Sequence, residues 1–254
     1  MEKEHSMDAV PQAALLTAFP VGAAALGASV AAFRQPRPAT MSAVQHFAAG
    51  VVIAAVVGEV LPDLRDRQHW GWAVVGFGVG VVLMLTLGAF GRLLDRRQPS
   101  GTLAVAARAA VPIGLLAAVA VDLLVDGVLV GLGSTLGSAQ AVILTAALTI
   151  EILFLALSVQ GELVEAGLTR FRAAGLSGGL GLMTAVGAVG SAAALGNAGE
   201  GLVAAALAFG AAALLYLAVE ELLVEAHEEN ETVLLSAMFF VGFLVIYGLA
   251  QVGG

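Results

Sequence analysis

The chain contains no cysteine, which excludes a disulfide framework, a cysteine-based metal site and thiol chemistry. Charge is scarce. Only 12% of its 254 residues are Asp, Glu, Lys or Arg, where soluble domains carry about 25%. Basic residues are the scarcer kind, 11 against 19 acids, and they form no basic patch. The resulting net charge of −8 argues against nucleic acid as a partner. An acid-rich start, Met1-Glu2-Lys3-Glu4-His5, lacks the basic region of a cleaved signal peptide, so the first apolar span is expected to be permanent.

Apolar sequence takes the place of charge. Hydrophobic residues make up 59% of the chain and the mean hydropathy is +0.96. This is the composition of an integral membrane protein. A helix needs about 20 apolar residues to cross a bilayer. Eight segments qualify, near Ala13–Phe33, Ala43–Leu61, Gly71–Phe90, Ala109–Gly133, Ala139–Ser158, Leu176–Leu195, Gly201–Val219 and Val233–Val252. Gly and Ala recur throughout them, as expected where membrane helices pack closely. Proline and charge fall between spans, as in Arg34-Gln35-Pro36-Arg37-Pro38 and Asp95-Arg96-Arg97-Gln98-Pro99. No soluble domain can be separated, so residues 1–254 read as one all-α transmembrane domain.

Basic residues orient it. The loops after spans 1, 3 and 5 carry Arg34, Arg37, Arg92, Arg96, Arg97, Arg108, Arg170 and Arg172, whereas the opposite side carries only Lys3, Arg65 and Arg67. The positive-inside rule makes the first group cytoplasmic and puts both termini outside. The loop after span 7 is acidic, Glu225-Ala226-His227-Glu228-Glu229-Asn230-Glu231, but acids weigh little in that rule.

Two aspartates lie inside the fourth span, in Val121-Asp122-Leu123-Leu124-Val125-Asp126-Gly127, and Glu151 lies inside the fifth. A carboxylate within a bilayer is costly and is normally there for function. Neither span contains Lys or Arg. Residues four apart share a helix face, so Asp122 and Asp126 project together, about 6 Å apart along the axis. The turn between the two spans centres near Leu136, and Asp122 precedes it by about as much as Glu151 follows it. A helical hairpin therefore brings the three acids to similar depth. Such a group would hold protons when empty and release them when a cation binds.

Enzyme readings find less support. An intramembrane aspartyl protease places its two aspartates on different helices, one of them after Gly-x-Gly. A serine–histidine dyad is not expected either: no Gly-x-Ser-x-Gly nucleophile elbow is read in the sequence, and the four histidines, His5, His46, His69 and His227, fall near span ends or in loops. No enzymatic activity and no organic cofactor are expected.

A weak internal repeat is visible. Span 2 ends Glu59-Val60-Leu61-Pro62-Asp63 and span 7 ends Glu221-Leu222-Leu223-Val224-Glu225. The two spans run in opposite directions, as in the inverted repeats of many transporters, which bind substrate near the midplane between the halves. Spans 1–3 and 6–8 would then surround spans 4 and 5.

At these residues the sequence resembles the ZIP (Zrt/Irt-like) family of divalent-metal transporters. Phe47-Ala48-Ala49-Gly50-Val51 through Glu59-Val60-Leu61-Pro62-Asp63 is similar to that family's Phe-Ala-Ala-Gly…His/Glu-Leu-Leu-Pro-Glu stretch. Asp122-Leu123-Leu124-Val125-Asp126-Gly127 resembles its His-Asn-x-x-Asp/Glu-Gly motif, and Leu215-Tyr216-Leu217-Ala218-Val219-Glu220-Glu221-Leu222-Leu223-Val224-Glu225-Ala226 its Leu-Tyr-Val-Ala…Glu-Leu-Leu-Pro-Glu segment. The resemblance covers essentially the whole chain and implies eight spans with both termini outside. It also implies transport of zinc, iron or manganese.

The pattern departs from the family at several ligands. Asp122, Leu123 and Val125 stand where the family has His, Asn and Pro. In span 5 the His-Glu-x-Pro-x pattern keeps only Glu151. Glu151 is either its second position, with Phe154 last, or its fifth, with Ala147 and Leu148 first; matched depth with Asp122 favours the fifth. Span 6 lacks the Glu-Pro, and the loop between spans 3 and 4 has no His. One metal held by Asp122, Asp126 and Glu151 is therefore expected rather than two. An all-oxygen set suits manganese, while the resemblance favours zinc.

Further acids and histidines mark a candidate pathway: Glu59, Asp63, Asp66 and His69 at the outer side, and His46, Glu220, Glu221, Glu225, His227 and Glu228 at the inner side. Gln160 and Glu162 close span 5. The leading expectation is a ZIP-like transporter moving a divalent metal through a midplane site between spans 4 and 5. The alternatives are a non-transporting relative acting as a metal sensor or assembly protein, and an ion-coupled carrier of another solute. The expected partners are the metal as transported substrate, the bilayer and, as one option, a second copy of the chain as a homodimer. The expected location is a cell membrane, taken as a bacterial inner membrane.

Overall fold

The computed structural model describes residues 2–96, 113–136, 138–227 and 232–253. Among them every regular element is helical, and eight helices are long and apolar enough to cross a membrane: α1 (Ala9–Phe33), α2 (Pro38–Asp66), α3 (Trp70–Phe90), α4 (Ile113–Ser134), α5 (Ala141–Glu165), α6 (Arg170–Leu195), α7 (Glu200–Ala226) and α8 (Val233–Gln251). The chain is a multi-pass membrane protein. Eight crossings put the start of α1 and the end of α8 on one face, here called the terminal face. The C-terminal ends of α1, α3, α5 and α7 lie on the other, called the arginine-rich face after the sequence around them.

Apolar side chains such as Phe77, Val79, Val82, Phe240 and Leu244 are exposed along the outer helices, as hydrocarbon contact allows. The helices run past the apolar segments that announce them. α2 continues through Leu61-Pro62-Asp63 to Asp66, α6 begins at Arg170 rather than Leu176, and α7 reaches Ala226 rather than Val219. Hydropathy falls where a helix leaves the bilayer, but its backbone hydrogen bonds continue. The expected start of span 4 at Ala109, the Arg97–Pro99 stretch, Arg108 and Glu228 lie outside the described residues.

Local chemistry sets the ends. Pro38 occupies the first turn of α2, where a missing N–H costs nothing. Gly167 closes α5 at φ 102°. Its N–H donates to the Val164 carbonyl and the Leu168 N–H to that of Leu163, the Schellman arrangement that favours glycine. α1 is interrupted at Thr17, three residues before Pro20, which cannot donate to the preceding turn.

The most extensive packing joins α4 to α6, α2 to α8, α3 to α7 and α1 to α5. Small residues make these approaches possible. A Cβ on Gly127 would strike the Thr184 carbonyl, and one on Gly187 that of Leu124, so α4 and α6 meet backbone to backbone. α4 and α5 occupy the centre with α2 and α7 beside them. On the terminal side of this centre, Leu129, Leu132, Leu144, Leu148, Leu207 and Leu214 are almost wholly buried and form an apolar plug.

Two helices widen locally. α2 has a π-helical turn over Val56–Val60 and α7 one over Leu217–Leu222. In each, the residue after the turn donates five back: Leu61 to Val56 and Leu223 to Ala218. Such bulges concentrate at functional sites. Here they carry Glu59 in α2 and Glu220 and Glu221 in α7.

Candidate metal centre

Three carboxylates converge at the middle of the fold. Asp122 and Asp126 from α4 and Glu151 from α5 each offer an oxygen, and these atoms all lie within 4.8 Å of one another. The side chains are 8%, 1% and 1% exposed. Asp122 Oδ2, Asp126 Oδ2 and both oxygens of Glu151 are buried without a hydrogen-bond partner. Between Arg108 and Arg170 the sequence has no Lys, Arg or His at all, so α4 and α5 supply no base to neutralise them. Three bare carboxylates packed together in low dielectric would repel one another strongly and forgo hydration. Protons or a cation must occupy the cluster.

Helix geometry explains the convergence. The i, i+4 spacing puts both aspartates on the face that α4 turns to α5, and the tight α4–α5 connection brings Glu151 level with them. Gly127 matters locally, because it lets α6 approach the turn bearing Asp126. That contact delivers Thr184, wholly buried and with an unpartnered hydroxyl. Thr184 stands in the span that lacks the expected Glu-Pro. Ala147 and Leu148 are buried apolar residues, and neither register of Glu151 adds another ligand on α5.

A fourth acid belongs to this neighbourhood. Glu221, on the π-helical turn of α7, lies close enough to act electrostatically on Asp122, Asp126 and Glu151 alike. From sequence it is a candidate pathway residue at the inner side; the widened turn and the α7 packing place it near the centre itself. A narrow cavity of about 30 Å³, mostly apolar in its wall, is lined by Glu151, Glu221, Glu225, Gln45 and Ser158 together with Phe154, Leu155, Leu217 and Leu222, enough for a water or two. Beyond it opens a vestibule of about 590 Å³ lined by Gln35, Ser42, Gln45, Glu162, Glu165 and Glu225, among others. From Glu151 this cavity leads toward the arginine-rich face, through Gln45, Ser158 and Glu225, which line the vestibule too.

The other candidate residues separate into two groups. At the arginine-rich face, Gln45 Nε2 donates to Glu225 Oε2, and the Ser42 hydroxyl donates to the Ala226 carbonyl at 2.7 Å. His46 and His227 lie ring against ring, 5.2 Å between centroids. At the terminal face, Asp63 is bound by Arg67 at 2.6 Å, and Arg67 also reaches Glu200. Arg67 thus joins the end of α2, through Asp63, to the start of α7. Glu59 sits half-buried between the apolar plug and that clamp.

A Gly-x-Ser-x-Gly spacing does occur, at Gly175-Leu176-Ser177-Gly178-Gly179. It lies within α6 rather than at a strand-to-helix turn, and the buried Ser177 hydroxyl donates to the Ala156 carbonyl at 2.8 Å. It is a helix-packing contact, without the geometry of a nucleophile elbow.

No family model matches the chain, and no curated protein matches it in sequence.

Proposed function

We propose that this protein is a ZIP-like transporter that moves a divalent metal ion across the membrane through the Asp122–Asp126–Glu151 centre. The observation that carries the reading is three buried carboxylates with unpartnered oxygens within 4.8 Å of one another, one of which, Glu151, lines a narrow cavity toward the arginine-rich face. Intramembrane acids arranged in this way belong to ion pathways. A divalent ion neutralises two of the three charges, and one retained proton neutralises the third. Binding is thereby linked to proton release. All-oxygen donors suit a hard ion such as manganese, and zinc accepts carboxylates as well.

Two features support an inverted repeat behind this centre. Exchanging α1 with α6, α2 with α7, α3 with α8 and α4 with α5 converts the α1–α5 contact into α6–α4, and the α2–α8 contact into α7–α3. These are the four most extensive contacts. The same exchange relates the two π-helical turns. With the arginine-rich face cytoplasmic, the vestibule opens inward and the apolar plug closes the outer side. Alternating access then requires the plug around Leu129, Leu132, Leu144 and Leu148 to part.

Purified protein in liposomes tests the proposal. Saturable uptake of manganese or zinc is expected, together with an anomalous-scattering peak for one ion between α4 and α5. Binding without flux would instead mark a metal-sensing relative. A coupled flux of another solute without bound metal would mark an ion-driven carrier.

A further inference from the structure

We infer that a cavity at the arginine-rich face, between the ends of α1 and α5 and the start of α6, binds the phosphate headgroup of an anionic phospholipid. The inference stands on residues apart from the midplane carboxylates and does not depend on transport through them.

The cavity measures about 120 Å³ and is lined by Ala31, Phe33, Gln35, Gln160, Val164 and Arg170. That is room for a group larger than water. Gln160 carries the argument. It is wholly buried, and neither its amide nitrogen nor its amide oxygen has a hydrogen-bond partner. An amide orphaned in this way costs stability unless something completes it.

The groups around Gln160 select an anion. Arg170 brings a guanidinium to the cavity and makes no ion pair among the described residues. It is also the first residue of α6. Thr169 before it makes no side-chain capping bond, and the first turn of α6 holds no acid. The opening N–H groups of that helix therefore lack acceptors of their own, and its dipole favours negative charge there. The Gln35 amide nitrogen lies close over Gly161 of α5, 3.4 Å from where a Cβ would stand. The acids of this helix end, Glu162 and Glu165, line the vestibule and not this cavity.

The surroundings select a lipid as the anion's source. Phe33 in the cavity wall is 79% exposed, and Phe171 beside Arg170 is 75% exposed. Exposed aromatic side chains at the ends of membrane helices meet acyl chains below the headgroups. Basic pockets between helix ends at an arginine-rich membrane face hold anionic headgroups. A phosphodiester accepts from Arg170, from the start of α6 and from the two glutamine amides. A headgroup hydroxyl, as in phosphatidylglycerol, donates to the Gln160 oxygen. A bound lipid then ties the end of α1 to the turn between α5 and α6.

Phosphatidylglycerol, phosphatidylcholine and inorganic phosphate are the probes, each titrated into delipidated full-length protein in detergent. Native mass spectrometry should show one phosphatidylglycerol retained per chain in preference to phosphatidylcholine, and only the former should raise the unfolding temperature. Arg170→Gln should weaken retention about fivefold or more. Arg172→Gln removes the same charge from a residue that does not line the cavity, and should weaken it less than twofold. Gln160→Leu should abolish the lipid-dependent rise while leaving the lipid-free unfolding temperature no lower, since it deletes an orphaned amide. Arg170 is exposed at a helix end, so its substitution leaves the fold intact and decides the matter even if Gln160→Leu misfolds. Equal losses in Arg170→Gln and Arg172→Gln would reduce the effect to net charge and overturn the site, as would equal retention of the two lipids. Inorganic phosphate that displaces the lipid and gives the same rise would make this a site for the free anion and overturn the lipid assignment.

Discussion

Two pairs of residues in this protein have the same helical spacing and opposite fates. Asp63 and Arg67 stand four apart at the end of α2, and Asp122 and Asp126 stand four apart in the middle of α4. The first pair closes an ion pair at 2.6 Å and recruits Glu200 from α7. The second pair points two like charges at a third, Glu151, with no base in reach among the described residues. Spacing alone puts side chains on one face; the identity of the partner decides between a clamp and a site. At the membrane surface an acid finds a base and water, and a pair there contributes about 0–1 kcal/mol. In the interior the same acid has neither, and it persists only because protons or an ion complete it.

The largest effect that would break this contrast is at Glu151. It is the sole acid that α5 presents to the cluster, so Glu151→Gln leaves two carboxylates on one helix and nothing opposite. Saturable uptake into liposomes should fall by on the order of a hundredfold or more. Asp122→Asn and Asp126→Asn should each lower it at least tenfold while leaving thermal unfolding nearly unchanged, because an amide is cheaper to bury than a charge. Wild-type uptake in all three variants would remove the centre from the transport path.

The contrast sharpens with pH. If the cluster exchanges protons for its ion, calorimetry in buffers of different ionisation enthalpy should report proton release on binding. Lower pH leaves more protons on the carboxylates and favours the empty form. Apparent affinity should therefore weaken as pH falls, and one ion per chain should bind at the midplane. Affinity independent of pH, or two tight midplane ions, contradicts a single all-carboxylate site.

Much of this centre was legible in the sequence, for a physical reason. Hydropathy exposes spans because lipid contact demands apolar side chains, and it exposes Asp122, Asp126 and Glu151 because any acid in such a run is conspicuous. Equal distance from the α4–α5 turn sufficed to put them level. Less conspicuous residues escaped. Thr184 in an apolar helix reads as ordinary, since a hydroxyl can bond its own helix; the structure shows it wholly buried with its hydroxyl unpartnered and its backbone against Gly127. The π-helical turn of α7 contains no proline, and nothing local announces it. The His46–His227 contact needs the α2–α7 packing before it exists at all. Helix ends were read short, because hydropathy ends before hydrogen bonding does.

The seam that delivers Thr184 gives the next effect in size. A methyl group on Gly187 would meet the Leu124 carbonyl. Gly187→Ala should push α6 from α4 and destabilise the protein by roughly 1–3 kcal/mol. It should also lower uptake severalfold by moving the Asp126 turn. Gly190 lies three residues along the same helix with open space around its Cα, so Gly190→Ala should change neither. Thermal unfolding in detergent, followed for both variants, separates seam packing from a general cost of altering α6. Equal loss in the two would mean that the close approach at Gly187 does not position the centre.

The smallest effect belongs to the clamp, and its smallness is the point. Arg67 carries Asp63 and Glu200 near the terminal face, where water and salt reach the exposed Glu200 freely and the half-buried Asp63 and Arg67 less. Arg67→Gln should cost about 0–1 kcal/mol, and that cost should shrink further as salt rises past physiological strength, where the screening length is about 8 Å. Uptake should change by less than twofold at physiological salt, because the route from Glu151 runs to the other face. A modest change at low ionic strength is expected, since removing a cation from the terminal face alters the local potential that a metal ion meets there. Measuring uptake against salt for Arg67→Gln and Asp63→Asn checks this directly. If either variant abolished uptake at physiological salt, Asp63 would be a step on the ion's path, and the division between clamp and site would fail at its first member.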